Sequence, residues 1–272
     1  MRVRTLGRKQ TEDNSYWVDL WHSIEHIVPR DHIQKLVEQT VAEIRSVTGS
    51  RRVAFGWSGG KDSQALRGVC ELAGIHDCLM GMSNLEYPEF LAWVTDHMPW
   101  ELEVINTGQD IHWLAENQEM LFPQESRTAG RWFKIIQHTA QERYYRKHDL
   151  DLIVLGRRRQ DGNFTGRDGS NIYTNRQGIT RYSPIRDWTH EEVMAFCRYF
   201  GYDLPPIYSW PNGWVVGTGS WPARQWTGSV EQGWKEVYLI DRRIVTWAAG
   251  YIPSAASWLQ SRQQLNQTLE RS

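Results

Sequence analysis

Six consecutive residues, Ser58-Gly59-Gly60-Lys61-Asp62-Ser63, bring together two glycines, two hydroxyls, a cation and a carboxylate. Glycines let the backbone turn tightly, and a helix that starts directly after such a turn points its first N–H groups at an arriving anion. The combination predicts a phosphate cradle. Lys61 supplies a point charge, Ser58 and Ser63 supply donors, and Asp62 supplies a ligand for magnesium bridging phosphates. Further along, Arg157-Arg158-Arg159 offers planar guanidinium forks of the kind that hold phosphate or sulfate by two-point contact. The loop is not a Walker A sequence, which needs G-x-x-x-x-G-K-[ST]: Phe55 stands where the first glycine belongs, and Asp62 follows the lysine.

A cradle of this kind works only between a strand and a helix. Arg52 to Gly56 reads as a short buried strand and Gln64 to Ala73 as a helix, so the order is strand, loop, helix. Ahead of it, Ile33, Leu36, Val37, Val41, Ile44 and Val47 fall at helical intervals and stop at Gly49. Further strands are predicted near Cys78 to Met82, at Leu102 to Ile105 and at Asp151 to Gly156. Helical stretches open at Pro88 and cover Gln109 to Asn117 and Ala129 to Lys147. Alternation of this type implies a parallel sheet with helices on both faces and a ligand at the carboxyl ends of its strands. The loops after Phe55, Gly81, Ile105 and Leu155 should therefore share one rim. Gly162 to Gln177, rich in Gly, Asn and Arg, reads as a hairpin or a flap, and Thr189 caps a helix running to Phe200.

The strand, SGGKDS loop and helix resemble the PP-loop superfamily of ATP pyrophosphatases, the adenine nucleotide alpha hydrolase-like proteins. Several segments are similar to its sulfonucleotide branch, the phosphoadenylyl-sulfate (PAPS) reductases and the small subunit of ATP sulfurylase. They are SGGKDSQAL, Tyr87-Pro88-Glu89 within MSNLEYPEF, LGRRRQDGNFTGRD and YSPIRDWTHEEVMAFCRYFGYDLPPIY, together spanning roughly Val53 to Tyr208. The resemblance implies binding of ATP, or of PAPS, with magnesium. For ATP it implies cleavage between the α and β phosphates, which adenylylates an acceptor the sequence does not identify and releases pyrophosphate. It implies a catalytic set of Lys61, Asp62, Arg157 and Arg158, with Asp62 also the metal ligand. Nucleotide contacts would come from Trp57, Ser58, Gly59, Gly60, Lys61, Asp62, Ser63, Met82, Gly156, Arg157, Arg158 and Arg159, with Trp57 against adenine or as a lid. Lys61→Ala and Asp62→Asn should then lose turnover and keep the fold.

The departures narrow the chemistry. Reductases of the branch attack with a cysteine in a C-terminal Glu-Cys-Gly-Leu-His segment, because only a thiolate is nucleophilic enough. Here no cysteine follows Cys197, and GWVVGTGSWPARQWTG offers tryptophan where some members carry Cys-x-x-Cys. Cys70, Cys78 and Cys197 read as buried structural thiols without metal-ligand spacing. Two alternatives stay open. One is a nucleotide-binding module, or a subunit of a nucleic-acid modification system, that turns nothing over; the other is a PAPS-binding transferase or hydrolase that needs no thiol.

A formal net charge of -1 excludes coating of nucleic acid or acidic membrane by bulk charge, so any anion site is local. Arg167, Arg176, Arg181 and Arg186 extend the positive charge near Arg157 and offer a place for single-stranded nucleic acid or a larger acceptor, which a protein partner could deliver. Arg2, Arg4, Arg8 and Lys9 read as a solvated basic arm. With no leader-like or membrane-spanning apolar run, the sequence reads as cytoplasmic. His190 reads as decoration at a helix start. Of the 15 tryptophans, Trp210, Trp214, Trp221, Trp226, Trp234, Trp247 and Trp258 are concentrated in the C-terminal part with Gly and Pro, where they read as the packing of an irregular appendage. The organisation expected is 1–50 arm and helix, 51–203 nucleotide-binding α/β domain, and 204–272 Trp-rich subdomain packed on it.

Overall fold

Strands covered on both faces read as continuous apolar runs, as Val53–Gly56, Cys78–Met82 and Leu152–Val154 do here. Val53–Gly56 forms β1, Cys78–Met82 β2, Leu102–Asn106 β3 and Leu152–Val154 β4. In this computed structural model, which describes residues 12–271, they join β5 (Ile172–Thr174) and β6 (Thr180–Tyr182) in one sheet of order β3-β2-β1-β4-β6-β5. All neighbouring pairs are parallel except β5 with β6, the hairpin predicted from the Gly/Asn-rich segment. The chain winds from β1 outward through β2 to β3 and then returns to place β4 on the other side of β1. The direction of winding therefore reverses between β1 and β4, and a crevice opens there at the strands' carboxyl ends.

Alternate residues of each strand face different layers. Phe55, Met80, Leu152 and Val154 enter a large core, whereas Ala54, Leu79 and Ile153 pack against Ala140 and Tyr144 on the opposite face. The helices of the first half are α1 (Asn14–Ile27), α2 (Arg30–Thr48), α3 (Lys61–Ala73), α4 (Pro88–His97) and α5 (Ile111–Glu116). α6 (Ser126–Phe133) runs through a π turn, Lys134–His138, into α7 (Thr139–Lys147). β2 lies close beneath that turn: a Cβ on Gly81 would stand 2.8 Å from Ala140 Cβ and 3.1 Å from the Ile136 carbonyl oxygen. α8 (His190–Phe200) starts with the expected cap, a reciprocal pair of bonds between Thr189 and Glu192.

Three expectations change. α1 lies where only an arm was expected; Trp17, Leu20 and Ile24 form its buried stripe and Asp13 caps it. The helix after the phosphate loop starts at Lys61, which puts Lys61, Asp62 and Ser63 in its first turn. The C-terminal part is irregular only as far as Ser229, apart from the short α9 (Gly213–Val216). It then forms α10 (Val230–Ile240), α11 (Arg242–Ala248) and α12 (Pro253–Arg271). Trp210, Trp214, Trp221 and Trp234 are buried in the same core as β1 and α3. The basic arm of Arg2, Arg4, Arg8 and Lys9 lies outside the described residues. Among the described residues no helix is long and apolar enough to cross a membrane.

α10 is locked to the sheet domain through Gly233, where an added Cβ would come within 2.3 Å of the Phe122 ring. Gly233→Ala should lower unfolding free energy by about 1–3 kcal/mol through overpacking. Gly219→Ala, with nothing within 4 Å of the new carbon, should leave the denaturation midpoint unchanged; equal midpoints for the two variants would refute this packing.

Candidate functional site

The phosphate loop leaves β1 and enters α3 with Gly60 as its N-cap, a residue with no side chain to cap the helix start. Gly59 holds φ at +72°, and a Cβ there would meet the Trp93 ring at 2.8 Å, so this position requires glycine. The loop braces itself: Ser58 N donates to Ser63 Oγ (3.1 Å), which donates to the Gly60 carbonyl (2.8 Å). Trp57, expected against adenine, instead packs its ring under the loop. The ring is 1% exposed, stacks on Trp93 and donates from Nε1 to Gln64 Oε1 at 2.9 Å. Burying an indole with its N–H satisfied makes it a wedge.

Beneath the loop lies a buried ionic cluster. The side chains of Lys61 and Arg158 have no solvent exposure, and both meet one oxygen of Asp62: Lys61 Nζ stands 2.7 Å and Arg158 Nε 2.8 Å from Oδ1. Arg158 also pairs with Asp161 at 3.0 Å, donates to the Trp188 carbonyl at 3.1 Å and lies 2.8 Å from His190 Nδ1. Burial pulls the Lys61 ammonium below the usual lysine range, and the Asp62 charge works against that shift. Lys61 and Arg158, expected as catalytic cations, are thus turned inward and shape the loop. His190, expected as decoration, is buried within this cluster. An Asp62 oxygen already shared by two cations repels a third. Among the described residues no three His, Cys, Asp or Glu side chains gather as a metal site. The carboxylates lining the cleft are Asp62, whose side chain is 31% exposed, and Asp161.

Of the arginine run, Arg157 reaches the cleft, donating to Tyr173 Oη (2.6 Å) and to His138 Nε2 (2.9 Å). Burial, then the charges of Arg181, Arg157 and Lys134, hold the His138 imidazole down to about 4, so Nε2 is a neutral acceptor. Arg159 turns outward to Asp187 at 2.7 Å. Gly156 lines the cleft and lies so near α3 that a Cβ would stand 3.0 Å from the Asp62 carbonyl oxygen. Met82 is buried at the end of β2 with its carbonyl accepting from Thr107, away from the cleft lining.

Two compartments meet at the loop. One, about 210 Å³, lies over β1 and β4 with Gly60, Asp62, Gly156 and Arg157 in its walls. The other, about 110 Å³, lies over β2 between Met80, Gly81, Phe90 and Trp132, with Glu86 as its carboxylate. Ser58, Phe133, Gln137, Gly217 and Thr218 line both. The roof comes from the C-terminal segment: Tyr208 Oη accepts from Lys61 N at 2.9 Å, and Thr218 Oγ1 lies 3.5 Å from Ser58 Oγ. Sequence reasoning missed Glu86, Tyr208, Thr218 and Gln137. Tyr208 closes the LPPIY run, which was the available signal for it.

All three cysteines are buried, and burial pushes the Cys78 thiol up to about 12 and those of Cys70 and Cys197 well above their usual value. None supplies a thiolate near neutral pH. Burial also pushes the Glu86 carboxyl up to about 7, against opposing hydrogen bonds from Ser83. A carboxyl raised on folding binds its proton more tightly in the native state. Its contribution to stability is therefore full below the unfolded value near 4.5, and is lost as pH rises towards 7. Glu86→Gln should flatten this part of the pH–stability curve and gain on wild type above pH 7; parallel curves from pH 4 to 8 would contradict it.

Residues 52–210 match the family model of the phosphoadenosine phosphosulfate reductase domain. A relative, the phosphoadenosine 5'-phosphosulfate reductase of Aliivibrio fischeri (strain MJ11), is 21% identical over 211 residues, covering 70% of this chain and 82% of the relative. Among solved structures, the PAPS reductase of Candida auris in its phosphate complex is similar with a TM-score of 0.48 and 14% identity, over 71% of this chain and 96% of that one. The NH3-dependent NAD synthetase of Campylobacter jejuni is similar with a TM-score of 0.44 and 16% identity, over 86% and 94%. The family match spans more than half of the sequence and contains the loop, the switch point and the arginine run, so the chain belongs to the phosphoadenosine phosphosulfate reductase domain family, within the PP-loop superfamily.

Proposed function

We propose that this chain binds an adenine nucleotide with its phosphates on the Ser58–Ser63 loop, cleaves ATP between the α and β phosphates, and transfers AMP to an acceptor. The observation that carries the reading is the glycine-capped start of α3 on the floor of a cleft at the sheet's switch point. Orphan N–H groups and the helix dipole there favour an anion. Buried, protonated thiols separate the reading from sulfonucleotide reduction. Adenylyl transfer needs no protein nucleophile: the acceptor oxygen bonds to the α phosphorus while the bond to the β-phosphate oxygen breaks, and pyrophosphate leaves with the electron pair. Loop amides and Arg157 serve by positioning and by charge. Magnesium belongs in this reading to the nucleotide's own phosphates.

The two compartments support it, since a nucleotide and an acceptor entering separately would meet at Ser58 and Thr218. PAPS in place of ATP would use the same loop and cleft. A second reading, binding without turnover, is favoured by one contact: the Lys61 amide already donates to Tyr208 Oη, which therefore competes with an incoming phosphate.

Ser58 is the loop residue whose loss disturbs the buried cluster least. With magnesium, ATP at 100 times its dissociation constant should stabilise wild type by about 2.7 kcal/mol. Ser58→Ala should bind about tenfold or more weakly, as expected for loss of one bond to a charged group, with an unchanged melting temperature in the absence of ligand. Pyrophosphate release from ATP should fall in parallel. Equal ATP affinity in the two proteins would remove the loop from the site, and tight binding with no pyrophosphate under any acceptor mixture would favour the second reading.

A further inference from the structure

The buried carboxylates of this chain are paired: Asp161 meets Arg158 at 3.0 Å and Glu236 meets Arg224 at 2.8 Å. Glu86, in the wall of the compartment over β2, breaks the pattern. Its Oε1 accepts from Ser83 N (3.2 Å) and from Ser83 Oγ (3.0 Å), and among the described residues it makes no ion pair and its Oε2 makes no hydrogen bond. The carboxyl is nonetheless withdrawn from bulk water, since burial is what raises it to about 7. Ser220 stands in the same wall, 2% exposed, with a buried hydroxyl that makes no hydrogen bond among the described residues. Buried polar groups are nearly always hydrogen-bonded, so an orphaned hydroxyl beside a half-bonded carboxyl marks a place for a ligand's polar group.

The sign of that group follows from the charges around it. Arg224 is the guanidinium in the lining, and it is already committed: Nε and one terminal nitrogen hold Glu236 Oε2, and the Pro211 carbonyl takes a further bond. No charged side chain acts on the Glu86 carboxyl, which is set by burial and by the two bonds from Ser83. Tyr87, its neighbour, is neutral, because burial raises its hydroxyl above the usual range. Above about pH 7 the compartment therefore holds one unbalanced negative charge. Phe90, Trp132 and Phe133 line the same space, and aromatic rings attract a cation through the negative potential of their faces. A carboxylate among aromatic rings is the chemistry that recognises an organic ammonium group. At about 110 Å³ the space is of the order that holds one small ring.

We infer that the compartment over β2 is the acceptor pocket and takes a small molecule carrying an ammonium group on an apolar body, with Glu86 Oε2 and Ser220 Oγ as the polar partners of the ammonium. The body packs among Phe90, Trp132 and Phe133. A carboxylate or hydroxyl oxygen of the same molecule reaches Ser58 and Thr218, where the two compartments join. There it bonds to the α phosphorus as pyrophosphate leaves with the electron pair, a hydroxyl losing its proton to water. The role as acceptor pocket rests on the nucleotide reading, whereas recognition of an ammonium group does not, and benzylamine tests it with no nucleotide present.

Benzylamine, and benzyl alcohol as its uncharged counterpart, are titrated into wild type, Glu86→Gln and Ser220→Ala by calorimetry on both sides of pH 7, and the Glu86 side-chain carbon is followed by NMR. Benzylamine should bind wild type about tenfold more tightly above pH 7 than well below it, and should pull the Glu86 titration down from about 7, because a nearby cation favours the carboxylate. Glu86→Gln should bind benzylamine about tenfold more weakly above pH 7 and lose the pH dependence, as expected for loss of one bond to a charged group. Its affinity for benzyl alcohol should stay as in wild type. Ser220→Ala should show a smaller loss at every pH. Benzylamine binding retained on ATP-saturated protein supports the acceptor pocket, and displacement of benzylamine by adenosine overturns it by giving the compartment to the nucleotide base. Equal affinity of wild type for the amine and the alcohol overturns the ammonium site whether or not Glu86→Gln folds, and so does equal affinity of wild type and Glu86→Gln for the amine. ATP stabilisation in that case leaves the nucleotide reading standing. Benzylamine binding that needs Glu86, in a protein blind to ATP, would keep the ammonium site and remove its role as acceptor pocket.

Discussion

One oxygen of Asp62 accepts two cations that water does not reach, and the geometry of the candidate site depends on that arrangement. Lys61 and Asp62 belong to the first turn of α3, while Arg158 belongs to the loop after β4. Their contact ties the two sides of the switch point together. Through Asp161, His190 and the Trp188 carbonyl the same arginine reaches the start of α8. Removing one member of such a cluster leaves an uncompensated buried charge, at a cost of roughly 3–5 kcal/mol. Lys61 and Asp62 are therefore parts of the fold as well as of the loop, and the expectation that their substitution spares the fold does not survive the structure.

With the Lys61 side chain buried and one oxygen of Asp62 held by two cations, the loop meets the cleft with its backbone and the partly exposed Asp62. In the proposed reading binding rests on amides, on Ser58 and on Arg157 from the far wall, which would fix phosphate position without a mobile lysine. The C-terminal segment completes the enclosure, since Tyr208 and Thr218 lie over the loop and the buried tryptophans behind them join the core of the sheet domain. The tryptophan excess thus serves to fix a roof, which in turn divides the space into two compartments meeting at Ser58.

What could be read in advance was local. The strand, the glycine turn and the following helix are encoded within about two dozen neighbouring residues, and the apolar runs of β2 and β4 and the Thr189 cap are equally short-range signals. What could not be read was tertiary. Nothing in the spelling of Arg157-Arg158-Arg159 says that the first faces the cleft, the second is buried and the third meets solvent; the strand end and Asp62 decide it. Tyr208 and Thr218 approach the loop from far along the chain. α1 and α10 did carry signals, Trp17-Leu20-Ile24 in one and a Ser229 cap in the other, but neighbouring charge and a high density of Gly, Pro and Trp masked them.

In the proposed reading the phosphates lie on the backbone of Gly59, Gly60 and Asp62. Amide hydrogen exchange at these three residues, followed by NMR in the presence of ATP with magnesium and separately of adenosine, tests it most directly. ATP with magnesium should protect these amides markedly, and adenosine should change them little. Equal protection by both ligands, or protection confined to residues away from α3, would contradict it.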